Sequence, residues 1–237
     1  MSGHSKWSTI KHKKAAADNK RGQAFTKLGR AISIATKEGG PDPASNFKLR
    51  LVVDKAREVN MPKANIERAI ERGAGQGTGE NLETAVYEGF GPGQVAVMIE
   101  VVTDNKNRTA AEIKKVFERG GGNLGQPGSA SHFFNKKGRL LVGKAADVDS
   151  QILTIIDLGA DDVEESGDEA IEVLVPAQKL GQMRDDLTKA GLTVQTAELI
   201  YKPHSLIELT LEQEQKLTEW LDALEELDDV QAVYTNW

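Results

Sequence analysis

The chain has no cysteine among its 237 residues, which excludes disulfides, thiol catalysis and thiolate metal sites. It also has no apolar run near the ~18 residues that a membrane span needs. Its first residues, Met1-Ser2-Gly3-His4-Ser5-Lys6-Trp7, lack the apolar core of a secretory signal, so a cytoplasmic location and no membrane partner are expected. Histidine is scarce: His4, His12, His132 and His204 are scattered, with no metal-ligand spacing between any two. His132, beside Phe133-Phe134, reads as a core or strand-edge residue. Ser129 and Ser131 lack the surroundings of a nucleophile elbow. The acidic runs from Asp161-Asp162 to Glu165 and from Glu225-Glu226 to Asp229 read as solvated faces rather than metal sites. No enzyme, metal or cofactor is expected.

What the chain does have is charge, unevenly spread. Residues 1–72 hold 16 Lys+Arg against 7 Asp+Glu, a net of +9. The remaining 165 residues hold 14 against 29, a net of −15. The overall −6 therefore describes neither part. A basic module joined to an acidic body implies a polyanion partner for one end, with repulsion keeping that partner off the other.

The hydrophobic pattern divides the chain further. The first twenty residues are polar and basic and read as an extended or mobile arm. From about Asn19 the pattern is helical, with Phe25, Leu28, Ile32 and Ala35 on one stripe and Gly39-Gly40 as the stop. A second helix is expected over 45–59, burying Phe47, Leu51, Val52, Ala56 and Val59. Pro62 fits the first turn of a third helix whose inner face is Ile66, Ala69 and Ile70. The alternate glycines from Gly73 to Gly79 follow a helix rather than a strand, with no Gly-Lys-Ser/Thr ending. They read as a linker or hinge, not a phosphate loop.

Beyond the linker, strands and helices alternate. Strands over 85–91 and 95–103, a helix over 109–119 and a short strand over 130–134 come first. A complete β-α-β-β-α-β series then occupies 139–201, the order of a ferredoxin-like sandwich. A last helix near 211–227 and a strand over 230–236 cannot form a domain alone, but they would complete the earlier β-β-α-β segment. The fold class expected is α+β, with an N-terminal three-helix domain followed by two ferredoxin-like α/β sandwich domains, one inserted in the other. The boundaries are 1–79 for the basic helical domain with its arm and linker, 80–135 plus 204–237 for a discontinuous α/β domain, and 136–203 for the inserted domain.

Nucleic-acid binding is the activity these residues favour. Lys6, Lys11, Lys13, Lys14, Lys20 and Arg21 cluster within sixteen residues, opposed only by Asp18. Such a cluster binds phosphates by releasing their counterions. His12 lies within it, and Trp7 can stack on a base or pin the arm to the protein. Lys27, Arg30 and Lys37 continue the charge on the first helix, within about 80° of one another around its axis. On the third helix Arg68 and Arg72, with Lys63, are free to face outward, although Glu67 and Glu71 alternate with them. The strands of the inserted domain, Arg139–Val142 and Glu172–Val175, carry no aromatic residue, so that domain is expected to space or contact protein rather than read RNA.

Several separated motifs together resemble the YebC/PmpR family, which includes the mitochondrial translational activator of cytochrome oxidase. They are Gly3-His4-Ser5-Lys6-Trp7 with Ile10-Lys11-His12-Lys13-Lys14, Lys37-Glu38-Gly39-Gly40-Pro41-Asp42-Pro43, Asn60-Met61-Pro62, Ile66-Glu67-Arg68-Ala69-Ile70, Tyr87-Glu88-Gly89, Thr103-Asp104-Asn105-Lys106-Asn107-Arg108-Thr109 and Gly121-Gly122-Asn123-Leu124. The resemblance covers the whole chain. It implies three domains with one α/β domain inserted in another. It also implies one of two jobs, DNA-binding transcriptional regulation or ribosome-associated translation that eases elongation through difficult stretches such as proline runs. The first expectation is a monomeric factor bound to ribosomal RNA or the ribosome, with ribosomal proteins as partners for the acidic body. The second is a DNA-binding transcriptional regulator, and the third a protein-interaction adaptor.

Overall fold

The computed structural model describes residues 18–76 and 81–237, with only the backbone described at 18–21. Three helices open the described chain: α1 (Asp18–Gly39), α2 (Phe47–Glu58) and α3 (Lys63–Gly73). Ile32 and Ala35 of α1 meet Leu49, Val53 and Ala56 of α2 and Ile66 and Ala69 of α3 in one core, with Phe25, Leu28 and Ile70 at its edge. The phase of α2 differs from expectation. Leu49 and Val53 are buried, while Val59 is 36% exposed and the Arg50 guanidinium lies over the Phe47 ring. Asn46 sets that phase. Its buried side chain accepts from the Leu49 N–H at 3.0 Å and donates to the carbonyls of Ala35 (2.7 Å) and Gly40 (2.8 Å), capping α2 and fixing it to the end of α1. Pro62 is the N-cap of α3 rather than part of its first turn. At the far end of α3 the chains approach so closely that a Cβ on Gly73 would sit 2.3 Å from the Ser33 carbonyl oxygen.

An α/β region follows: β1 (Glu83–Phe90), β2 (Ala96–Thr103), α4 (Lys106–Gly120) and the two-residue β3 (Asn123–Leu124). Its sheet is completed by the C-terminal β8 (Val230–Thr235), in the order β3-β1-β2-β8, with the β1–β2 hairpin at the centre. Helix α7 (Leu211–Glu225) packs beside α4 on one face. Val97, Ile99 and Val101 of β2, Ile113 and Phe117 of α4, and Leu217, Trp220, Leu221 and Leu224 of α7 form the core. Phe117 meets Trp220 edge to face at 4.9 Å, and the indole N–H donates to the Val116 carbonyl at 3.0 Å.

The strand expected over 130–134 is absent. Ser131–Phe133 form a single 3-10 turn, and His132 is exposed rather than core, its ring tilted against Phe133. The buried Glu88 carboxylate explains the turn: it accepts the N–H groups of Gly128, Ala130 and Ser131 at 2.8–3.0 Å, which bends the segment away from a sheet. Burial pushes the Glu88 pKa up, but the backbone bonds outweigh it and hold the group below the usual carboxylate range. The strand paired to β1 is instead Asn123–Leu124, which pairs with Phe90 and Gly89.

Residues Asn135–Lys202 form a separate compact unit. It contains β4 (Phe134–Gly143), α5 (Val148–Asp157), β5 (Asp162–Ser166), β6 (Ala170–Pro176), α6 (Leu180–Lys189) and β7 (Val194–Pro203). The sheet order β5-β6-β4-β7 is that of a ferredoxin-like sandwich. Leu140, Val142, Ile155, Ile171, Val173, Val175, Leu180 and Leu187 fill its core. The fold class is α+β, with a helical N-terminal region and two four-stranded antiparallel sheets carrying helices. The helical region clusters with the discontinuous α/β region in one unit. Among the described residues no helix is long and apolar enough to cross a membrane.

Candidate nucleic-acid interface

The sequence-derived site residues fall into three groups. Lys6, Trp7, Lys11, His12, Lys13 and Lys14 lie outside the described residues, and Lys20 and Arg21 lie on the first turns of α1, where only the backbone is described. The second group, Lys27, Arg30 and Lys37 on α1, does not form an open basic strip. Lys27 Nζ donates to the Glu225 carbonyl at the end of α7. Arg30 Nη1 donates to the Asp228 carbonyl at 2.8 Å and to Asp229 Oδ1 at 2.7 Å. Lys37 Nζ reaches Asn81 Oδ1 at 2.8 Å and the Leu82 carbonyl at 3.1 Å. Between these cations, on the side of α1 away from its helical core, Ile34 is buried against Leu82 and Val102. This charged face holds α1 to the α/β region.

Asp229 is the centre of that junction. Its side chain is 3% exposed, and it faces Arg30 from α1 and Arg108 from α4, the latter at 3.1 Å. The hydroxyls of Thr103 and Thr109 donate to its Oδ2 at 3.0 and 2.6 Å. Burial alone would raise the Asp229 pKa. The bonds from Thr109, Arg108 and Thr103 and the nearby Arg30 charge reverse that and hold it below the usual range. The bond to Asp104 at 2.6 Å, and then that to Asp229, push the Arg108 pKa up. The segment from Thr103 to Thr109 is thus accounted for by structure: Asn105 caps α4 by accepting from the Arg108 N–H at 3.1 Å, and Lys106 pairs with Glu83 at 2.5 Å. A shallow recess of about 250 Å³ lies along Thr103–Asn107 and Glu83.

The third group, Arg68 and Arg72, lies on the outer face of α3 with Asn65, at i, i+3 and i+7. Asn65 is partly open to solvent, and the two arginines are exposed. Arg68 bonds to Asn65 Oδ1 at 2.9 Å and to the Ala64 carbonyl at 3.2 Å, which extends its guanidinium along the helix. Lys63 pairs with Glu67 at 3.5 Å, while Arg72 has no ion-pair partner among the described residues. Four residues, Val59–Pro62, join α2 to α3, with Asn60 in the left-handed region at φ 58°. This short turn joins α2 to α3, and α3 presents polar side chains outward. Among the described residues no three His, Asp or Glu side chains are grouped to hold a metal ion.

Sequence reasoning missed Asp229, Thr103 and Arg108. Only one signal pointed to the junction: Ile34, an apolar residue about 180° around α1 from Phe25 and amid the basic positions.

Residues 5–76 match the family model for the TACO1/YebC protein N-terminal domain, and residues 82–237 match that for the TACO1/YebC second and third domain. A probable transcriptional regulatory protein of Geotalea uraniireducens is 46% identical over 237 residues, covering 100% of this chain and 96% of the relative. One of Burkholderia multivorans, with the same description, is 46% identical over 236 residues, covering 100% and 98%. The crystal structure of a conserved hypothetical protein from Aquifex aeolicus superposes with a TM-score of 0.87 at 43% identity, covering 98% of this chain and 96% of that one.

Proposed function

The chain belongs to the TACO1/YebC family, and from that premise we propose that it is a non-enzymatic, nucleic-acid-binding regulator of gene expression that acts on DNA as a transcriptional regulator. The description of its relatives as probable transcriptional regulatory proteins supports this reading over the ribosome-associated one. The observation that carries it is the outer face of α3. Asn65, Arg68 and Arg72 stand in one row on the outer face of α3, within the net-basic N-terminal third of the chain. An arginine there can reach guanine O6 and N7 in a major groove and an asparagine can pair with adenine, while the N-terminal lysines supply phosphate contacts. The acidic remainder stays off the polyanion by repulsion.

The test is gel-shift titration on mixed duplex DNA beside co-sedimentation with ribosomes, each across a salt series. Wild-type protein is expected to shift a subset of duplexes. Arg68→Ala with Arg72→Ala should lose about 10-fold or more on that subset, at roughly 1–3 kcal/mol per base contact. Lys11→Glu, Lys13→Glu and Lys14→Glu together should weaken binding to all duplexes alike and flatten its salt dependence. Sedimentation with ribosomes at physiological salt without any duplex shift would discard the transcriptional reading in favour of a translation factor.

A further inference from the structure

Helix α5 of the inserted unit differs in composition from the other α-helices among the described residues. It contains no Lys, Arg or His, and only Gln151 and Ile155 of its ten residues are buried. Gln151 is spent internally, donating to the Gly143 carbonyl and accepting from the Ala145 N–H. On the outer side Leu153 is 63% exposed and Ile156 50% exposed, with Ile152 half-buried beside them. At about 100° per residue these three span one stripe. Asp149 lies on the same stripe in the first turn and Asp157 beside it in the last, both exposed. An apolar centre with a carboxylate at each end is a motif that solvent alone does not favour, because exposed apolar area is costly.

The charge around it defines the occupant. From Ala145 to Glu169 the chain carries nine carboxylates and no Lys or Arg. Lysines from elsewhere in the unit pair with Asp161 (Lys137), Asp162 (Lys202) and Glu165 (Lys144). Nucleic acid and anionic lipid are repelled by such a field, and a second copy meeting it face to face would bring like charges together. We propose that the α5 face is a docking surface for a basic amphipathic helix of a partner protein. The partner's apolar side chains would cover Leu153 and Ile156, and lysines or arginines at its two ends would meet Asp149 and Asp157. The apolar area is small, so the contact is transient and salt-sensitive. This surface is independent of the nucleic-acid reading, since it lies on the other compact unit.

The test uses the full chain and a short fluorescein-labelled synthetic helix with leucines along one face and a lysine pair at each end, followed by fluorescence anisotropy at physiological salt. Saturable binding is expected. Leu153→Glu with Ile156→Glu should weaken it by about tenfold or more, as should Asp149→Lys with Asp157→Lys, while the duplex-DNA titration stays at the wild-type value. The substituted side chains are exposed, so circular dichroism should be unchanged; the milder Leu153→Ser reads the same loss if the glutamate variant unfolds. Equal affinity of the apolar variant and the parent would overturn the proposal, because binding would then be diffuse charge attraction. So would tight binding of a peptide carrying glutamates in place of its lysines.

Discussion

Two guanidiniums and two hydroxyls converge on the single carboxylate of Asp229, and they tie three pieces of the fold together: Arg30 from α1, Thr103 from β2, and Arg108 with Thr109 from α4. Replacing it by Asn keeps the volume but leaves Arg30 and Arg108 facing a neutral amide. Arg108 is 44% exposed, so water screens part of the loss. The variant should lose about 2 kcal/mol in urea titration, within the range for charge-assisted bonds. The same group gives the pH dependence its sign. Its folded pKa lies below the unfolded one, so its contribution is complete above the ordinary carboxylate pKa and is lost as pH falls through the depressed folded value. Urea midpoints of wild type should therefore drop as pH goes from about 5 toward 3, and those of Asp229→Asn should drop less. Parallel curves for the two proteins would show that the carboxylate has no such role.

At the scale of the element, α1 is amphipathic twice over. One face closes the helical core, and the opposite face, with Ile34 at its centre, seats against Leu82 and Val102. Ile34→Ala should therefore destabilise the protein by roughly 2–3 kcal/mol, as a buried large-to-small change does. It should also speed limited proteolysis in the segment after α3. An exposed Ile34 would give a change near zero. The first face was legible in the sequence because its period is regular, and the bounds of most helices and strands follow from the same periodicity. The second face was not legible. Its partners lie just before β1, in β2, and at and after the end of α7, so a row of lysines and arginines read alone resembles a phosphate-binding strip. The short strand β3 escaped for a related reason: two residues have no period, and they are a strand only because Gly89 and Phe90 lie opposite. The α2 register failed because Asn46, a polar residue whose side chain binds two carbonyls of other segments, sets the phase. The candidate interface on α3 needed only local spacing, so Arg68 and Arg72 could be named in advance.

At the scale of the whole molecule, the chain leaves the discontinuous region after Phe134 and returns at Pro203, and the His204 N–H donates to the Phe133 carbonyl at 2.9 Å across that neck. The unit between has its own core, so two melting units within one chain are the expected behaviour. The placement of tryptophan makes this visible without any label. Of the three, Trp220 and Trp237 are both 4% exposed in the discontinuous core, Trp7 is in the N-terminal segment, and the inserted unit has none. Indole emission is consequently blind to residues 135–202, whereas far-ultraviolet dichroism sees every helix. On heating, the dichroism curve should contain a transition that the emission curve lacks; superimposable curves would mean that the two units melt as one. The protein thus carries an optical reporter for one of its two units, and the silent unit becomes readable by difference.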